Sequence, residues 1–191
     1  MEILDVVDEN NNLTGKTETR KIVHQEGLWH RHVGAWIMNG KGELLLQKRA
    51  ATKKRNANKW SRTGGHVDAE ETPIHAVQRE TKEEIGVDIP ADKWELLSVD
   101  KYNKKDDNNH HFTYNFFTKV NYKIEEYKID EEEVSDVKYF TIEEMQNIRE
   151  NGDTNYTFIN WNKFDEIMEI LKKKREELIW KCKVEVKIKN I

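Results

Sequence analysis

Residues 64–87 read GGHVDAEETPIHAVQRETKEEIGV, and this stretch constrains the fold more tightly than any other. Thr72 is of the type that caps a helix N-terminus, and Pro73 suits a first helical position, where its missing N–H costs nothing. Gly86 supplies the left-handed residue that ends a helix. The spacing therefore predicts a helix from about Pro73 to Ile85. At roughly 100° per residue, Ile74, Val77, Thr81 and Ile85 share a core-facing sector. Glu80, Glu83 and Glu84 fall on a neighbouring sector, because residues three and four apart share a face. His75, Gln78 and Lys82 are left toward solvent.

Three carboxylates on one stripe repel each other, and each like-charge pair weakens a helix by about a few tenths of a kcal/mol. A hard divalent cation reverses the sign of that cost. Oxygen-only donors suit Mg²⁺ or Mn²⁺, and Mg²⁺ commonly shares its shell with substrate phosphates. The competing reading is a solvated acidic face balanced by Arg79 and Lys82.

The spacing around the helix separates the two readings. From Gly65 the chain runs five residues to Glu71, seven more to Arg79, and then Arg79-Glu80-Thr81-Lys82-Glu83-Glu84-Ile85-Gly86-Val87. This resembles the Nudix box, Gly-x5-Glu-x7-Arg-Glu-U-x-Glu-Glu-x-Gly-U, where U is a bulky aliphatic residue. Every charged and glycine position matches, and Thr81 at an aliphatic position is the one departure. The resemblance implies an α/β fold of the Nudix type, an α/β/α sandwich with a mixed sheet. It implies that Glu80, Glu83 and Glu84 bind Mg²⁺ or Mn²⁺ and carry the catalysis, with the Gly64 carbonyl as a further ligand. It implies that Glu71 and Arg79 form a structural pair orienting those glutamates. The general base in this family is a box glutamate or one from a later loop, which here offers Glu131, Glu132 and Glu133.

The rest of the chain fits one domain of 191 residues. A core of about 30–142 is preceded by an extension, 1–29, and followed by a C-terminal helix and tail, 143–191. Strands are expected at ILDVVD (3–8), HVGAWIM (32–38), ELLLQKR (43–49), near 94–103, 111–121 and VKYF (137–140), with ENNNLTG and NGKG as turns. Residues 51–63 read as a basic loop, with KKDDNNH as a polar one. A short helix capped by Thr141 follows, then a longer one over 161–178 with Trp161, Phe164, Ile167, Met168 and Leu171 at core spacing. In the tail, Cys182, Val184, Val186 and Ile188 alternate with charged residues, a strand pattern able to extend a sheet edge or pair with a second copy in a homodimer.

A formal net charge of −4 gives no bulk pull toward nucleic acid. A single cysteine excludes an intrachain disulfide framework and CxxC metal sites, and fits a reducing compartment. No apolar run is long enough to span a bilayer, and the start lacks a signal-peptide pattern, so the expected setting is cytoplasmic. The expected partner is a small diphosphate. Arg49, Lys54 and Arg55, with Lys48 and Lys53, are candidates to contact its phosphates. Trp60 is expected to pack beneath the box loop, and Tyr102, Tyr114 and Phe116 are weaker stacking candidates.

A narrower resemblance lies upstream. LDVVDENNNLTGKTETRKIVHQEGLWHRH, then LLLQKRA and GGHV, are similar to the Nudix branch that holds isopentenyl-diphosphate isomerases and their hydrolase relatives. In those isomerases, histidines at the positions of His24, His30 and His66 bind a divalent metal with two glutamates from a later strand. Gly64 here stands where the isomerases place a catalytic cysteine, and NHHFTYNFF carries no Glu-x-Glu. The hydrolase relatives are the better match, and the imidazoles are expected to pin the N-terminal segment to the glycine loop, with His66 also a candidate for touching substrate phosphate. The expected activity is metal-dependent hydrolysis of a nucleoside diphosphate, free or linked to another group. An isomerase and a non-catalytic ligand-binding domain are the alternatives.

Overall fold

A computed structural model describes residues 2–103 and 108–189. The elements in chain order are β1 (Ile3–Val7), β2 (Leu13–Thr19), α1 (Arg20–Glu26), β3 (His30–Met38), β4 (Leu44–Arg49), β5 (Trp60–Ser61), α2 (Pro73–Ile85), β6 (Glu95–Tyr102), β7 (His111–Lys119), β8 (Val134–Phe140), α3 (Ile142–Glu150) and α4 (Phe164–Lys189), with three short 3₁₀ turns among them. The chain belongs to the α/β class, and its contacts divide it into two compact units. One comprises Met1–Trp36 with Arg62–Thr118, the other Ile37–Ser61 with Lys119–Ile191.

In the first unit β1 and β2 form an antiparallel hairpin, with a register shift between Val6 and Val7. Asp8 closes the hairpin by accepting from the N–H groups of Asn10 and Asn12, and Asn11 takes a positive φ of 67°. Thr19 ends β2 and caps α1 through its hydroxyl, and Gly27 stops that helix at φ 65°. β7 pairs antiparallel with β6, placing His111 opposite Tyr102, Thr113 opposite Asp100 and Asn115 opposite Ser98. It runs parallel to β3: the His30 N–H donates to the His110 carbonyl near one end, and the Val120 N–H to the Met38 carbonyl near the other. The sheet is therefore mixed.

The glutamate helix α2 spans Pro73–Ile85, and Gly86 ends it at φ 72°. Thr72 holds the N-cap conformation without a side-chain cap, because its hydroxyl pairs with His75 Nδ1 at 3.0 Å. Thr81 is fully buried and donates to the Val77 carbonyl at 2.7 Å, which satisfies a hydroxyl in an apolar position. The buried sector is rotated from the expected one. Ala76 and Glu84 join Val77, Thr81 and Ile85, and Ile74 is only half-buried.

In the second unit β4 pairs antiparallel with β8 from Leu44↔Phe140 to Arg49↔Val134, and on its other side meets Met38 and then β5. Thr141 and Glu144 make a reciprocal capping box for α3. Phe164, Ile167, Met168 and Leu171 of α4 are buried, whereas Trp161 precedes the helix and is half-buried.

Two expectations are corrected. The strand-like tail is not a strand: the backbone of α4 stays helical to Lys189. Alternation marks a strand only when a neighbour takes up its hydrogen bonds, whereas propagating an existing helix adds one bond per residue. The turn read at ENNNLTG (9–15) ends at Asn12, Leu13–Thr19 form β2, and α1 follows it unannounced by any long apolar period. The polar loop KKDDNNH lies partly outside the described residues. Among the described residues, no helix is long and apolar enough to cross a membrane.

Candidate active site

Arg79 organises the site. Its Nε donates to Glu71 Oε1 at 3.0 Å and its Nη2 to Glu71 Oε2 at 2.9 Å, a bidentate pair. Nη2 also donates to the His66 carbonyl at 3.0 Å, and Nη1 reaches Glu80 Oε1 at 2.9 Å and Glu83 Oε2 at 3.2 Å. One guanidinium therefore ties the loop acid, the loop backbone and two helix carboxylates together. Burial opposes its charge, but Glu71 and Glu80 raise its pKa well above the ordinary arginine value.

The loop is stitched to β3 like an extra strand. The Val33 N–H donates to the Gly65 carbonyl, Ala35 to Thr63, and Val67 to Arg31. Gly64 adopts φ 153°, which a residue with a side chain rarely takes, and a Cβ there would strike the Val33 carbonyl. A Cβ on Gly65 would strike the Glu80 carboxylate. The glycine pair thus lets the loop backbone lie against the helix acids, and the Gly64 N–H donates to Glu84 Oε2 at 3.1 Å.

The three helix carboxylates differ in exposure. Glu84 is 5% exposed, the Glu80 side chain 14%, and the Glu83 side chain 60%. Burial pushes Glu80 up to about 7, against the pull of Arg79. Carboxylates whose charge burial opposes, gathered on one stripe, are the environment a cation relieves, and an all-oxygen donor set fits Mg²⁺ or Mn²⁺. These residues fit that ion.

A second constellation, only partly anticipated, adjoins the same loop. The Nε2 atoms of His24 on α1 and His66 stand 3.1 Å apart. Glu2 Oε1 accepts from His66 Nδ1 at 2.8 Å, and Glu2 Oε2 accepts from Arg20 at 2.9 Å. Burial works against the Glu2 charge, but His66 and Arg20 hold it down at about 2. His30 is fully buried, its Nδ1 bonded to the Leu28 carbonyl, and burial lowers it to about 3. One nitrogen from each of His24, His30 and His66 lies within 4.8 Å of the others. An all-nitrogen trio of this kind could hold an ion such as Zn²⁺, which tolerates an open fourth position, and does not suit Mg²⁺. His32 and His111 pack beside this trio at 4.4 Å from His66 and 5.6 Å from His30 respectively. Sequence reasoning missed Glu2, because only the β1 register brings residue 2 to the loop: the Ala69 N–H donates to the Ile3 carbonyl, and Leu4 bridges Asp68.

The phosphate candidates Arg49, Lys54 and Arg55 lie in the second unit, where Lys54 and Arg55 are exposed. Their loop is shaped by positive φ at Asn56 and Asn58. Lys53 is paired with Glu133, and Glu131 and Glu132 are exposed. Trp60 packs edge-on against Phe140, also in this unit. Two stacking candidates are spent elsewhere: Tyr114 accepts a hydrogen bond from Asn11 at 2.7 Å, and Phe116 is buried. Tyr102 stacks on His111, with ring centres 4.7 Å apart.

Together the fold and the site define an α/β protein in which a glycine loop and an acidic helix are locked by a shared arginine. The NUDIX domain family matches residues 28–161, and the chain belongs to that family. An uncharacterised Nudix hydrolase of Listeria innocua is 33% identical over 166 residues, covering 84% of this chain and 92% of the relative. Nudix hydrolase 3 of Arabidopsis thaliana is 33% identical over 164 residues, 81% of this chain but only 21% of the longer plant protein. Isopentenyl-diphosphate Delta-isomerase 2 of Photorhabdus laumondii is 41% identical over 93 residues, 48% of this chain and 52% of that enzyme. The crystal structure of DR0079 from Deinococcus radiodurans shares the fold, with a TM-score of 0.67 at 20% identity over 90% of this chain and 98% of that one.

Proposed function

We propose that this protein is a metal-dependent pyrophosphohydrolase that cleaves the diphosphate bond of a nucleoside diphosphate, free or linked to another group. The observation that carries this reading is the Arg79 network, which gathers Glu71, Glu80 and Glu83 while Glu84 takes the Gly64 N–H. Glu80, Glu83 and Glu84, with the Gly64 carbonyl, would hold Mg²⁺ or Mn²⁺. Such an ion neutralises phosphate oxygens, orients them and makes water more acidic.

The remaining work falls to the chain. Glu71 fixes Arg79, and Arg79 fixes the rotamers of Glu80 and Glu83, so the acids are positioned before substrate arrives. Glu84, buried against the loop, sets the distance between helix and glycine backbone. In the reaction a water oxygen bonds to one phosphorus, the bond from that phosphorus to the bridging oxygen breaks, and the departing phosphate keeps the electron pair. The proton from water passes to a carboxylate of the site or to solvent.

The 41% identity to an isomerase and the histidine trio favour a second reading, isopentenyl-diphosphate isomerisation. Gly64 in place of a cysteine, and the lack of a Glu-x-Glu in NHHFTYNFF, count against it. Nucleoside monophosphate release across a nucleotide panel with Mg²⁺, beside an isopentenyl diphosphate isomerisation assay, separates the two.

A further inference from the structure

One face of three neighbouring strands in the first unit carries polar groups that neither the Arg79 network nor the histidine trio uses. Strand alternation and the β6–β7 register put Ser98, Asp100 and Tyr102 beside Asn115, Thr113 and His111. The contact of His32 with His111 at 5.1 Å places His32, Gly34 and Trp36 of β3 on the same side. Arg62, two residues before the glycine pair, lies across Gly34, where any Cβ would strike its guanidinium, and stands 5.4 Å over the Trp36 ring. Gly34 is thus the space that lets a cation lie flat on the sheet.

Asn115 is fully buried. Its Nδ2 donates to Ser98 Oγ at 3.0 Å and to Asp100 Oδ2 at 2.9 Å, which fixes the amide orientation, because a flip would set two oxygens together. That leaves Oδ1 buried with no hydrogen-bond partner among the described residues. A polar atom satisfied by neither protein nor solvent is costly unless a bound group completes it.

We propose that Arg62 and Asn115 form the specificity-determining subsite for a nucleobase, Arg62 donating to a ring acceptor and Asn115 Oδ1 accepting a ring N–H. This inference rests on the nucleoside diphosphate reading above and names the part of the substrate that these residues recognise. The charge pattern selects a base over a further phosphate. Burial opposes the Arg62 charge and the Asp100 carboxylate supports it, and that carboxylate and the Asn115 lone pairs both repel phosphate oxygens. A neutral ring with an acceptor and a donor on one edge can accept from the guanidinium and donate to the orphan carbonyl. The stacked Tyr102 and His111 rings give a flat aromatic wall beside it.

The test measures binding of adenosine, guanosine, cytidine and uridine by calorimetry in the presence of EDTA, so that neither phosphate nor metal contributes. One or more of the four binds wild type, and Arg62→Ala and Asn115→Leu each weaken it by about tenfold or more, the loss of one hydrogen bond to a charged or buried partner. Gly34→Ala displaces Arg62 without touching its charge and has the same effect, so it carries the test if Asn115→Leu fails to fold. Binding of inorganic pyrophosphate with Mg²⁺ changes less than threefold in these variants. The proposal is overturned if no nucleoside binds at millimolar concentration, or if the variants weaken pyrophosphate and nucleoside alike. Nucleoside binding without hydrolysis of any nucleotide would instead remove the hydrolase reading and leave this subsite standing.

Discussion

Arg79 and Glu71 meet through two parallel hydrogen bonds, Nε to Oε1 at 3.0 Å and Nη2 to Oε2 at 2.9 Å, while the remaining arm of Arg79 reaches Glu80 and Glu83. The pair couples the shape of the loop to the placement of the helix acids. Its loss should therefore be felt in stability and activity together.

Arg79→Ala leaves the Glu71 carboxylate, whose side chain is only 16% exposed, without its guanidinium. The expected cost is about 2 kcal/mol for a partly buried charge losing its partner, or roughly 4–8 °C in melting temperature for a chain of this size. Activity should fall as well. Thermal melts beside kcat measurements check this, and an unchanged Tm with reduced kcat would place Arg79 at the substrate rather than in the scaffold.

Glu84→Gln keeps the side-chain shape and still offers an oxygen to the Gly64 N–H, so the fold should hold to within about 1 kcal/mol. Removing the charge should lower kcat by about 10²–10³, the scale seen when one electrostatic group of a transition-state site is lost. Steady-state kinetics and a thermal melt on the same preparation decide the point. A variant with near-normal kcat would mean that Glu84 only fastens the loop.

The limits of α2 were legible because Thr72, Pro73 and Gly86 punctuate the chain locally and need no tertiary partner. The acidic stripe was legible for the same reason: helical geometry fixes which residues share a face. Its unequal burial was not, since Glu84 is buried by a bond to the Gly64 backbone twenty residues away. Glu2 and Arg62 were invisible for that reason too. Residue 2 acquires a role only through the β1 register, and Arg62 only because Gly34 on another strand has no side chain. The tail misled because its alternation is real in sequence but finds no strand partner among the described residues, and α4 continues through it.

Burial holds His111 down at about 4, and His32 lies well below its ordinary value for the same reason. Both bind fewer protons in the folded state than in the unfolded chain, where a histidine titrates near 6.5. The stability they contribute is present above about pH 6.5 and is lost as pH falls toward 4. Burial at His111 corresponds to about 3 kcal/mol at full effect. Urea unfolding should show less stability lost between pH 7.5 and pH 5 in His111→Asn than in wild type, a comparison in which the opposite contribution of Glu80, raised by burial, cancels. The same pH dependence in wild type and variant would mean that the His111 imidazole is solvated.

The histidine trio should fasten the N-terminal segment rather than hold the catalytic ion. His24→Ala removes the contact of α1 with His66 at 3.1 Å and should lower Tm by roughly 2–4 °C, about 1 kcal/mol. The Mg²⁺ concentration giving half-maximal activity should stay within about twofold. Elemental analysis of protein purified without added metal belongs beside these assays. A stoichiometric ion lost in His24→Ala, together with isomerase turnover, would overturn the hydrolase assignment.

The most direct test of the central claim is turnover of a nucleotide panel, nucleoside diphosphates and nucleoside diphosphates linked to sugars or second nucleosides, followed as nucleoside monophosphate by chromatography. With Mg²⁺ present at least one member should be cleaved at its diphosphate bond. Excess EDTA should abolish that cleavage, added Mg²⁺ should restore it, and Glu84→Gln should slow it by about 10²–10³. Turnover that persists in excess chelator, or a panel left intact with Mg²⁺ present, would contradict the account.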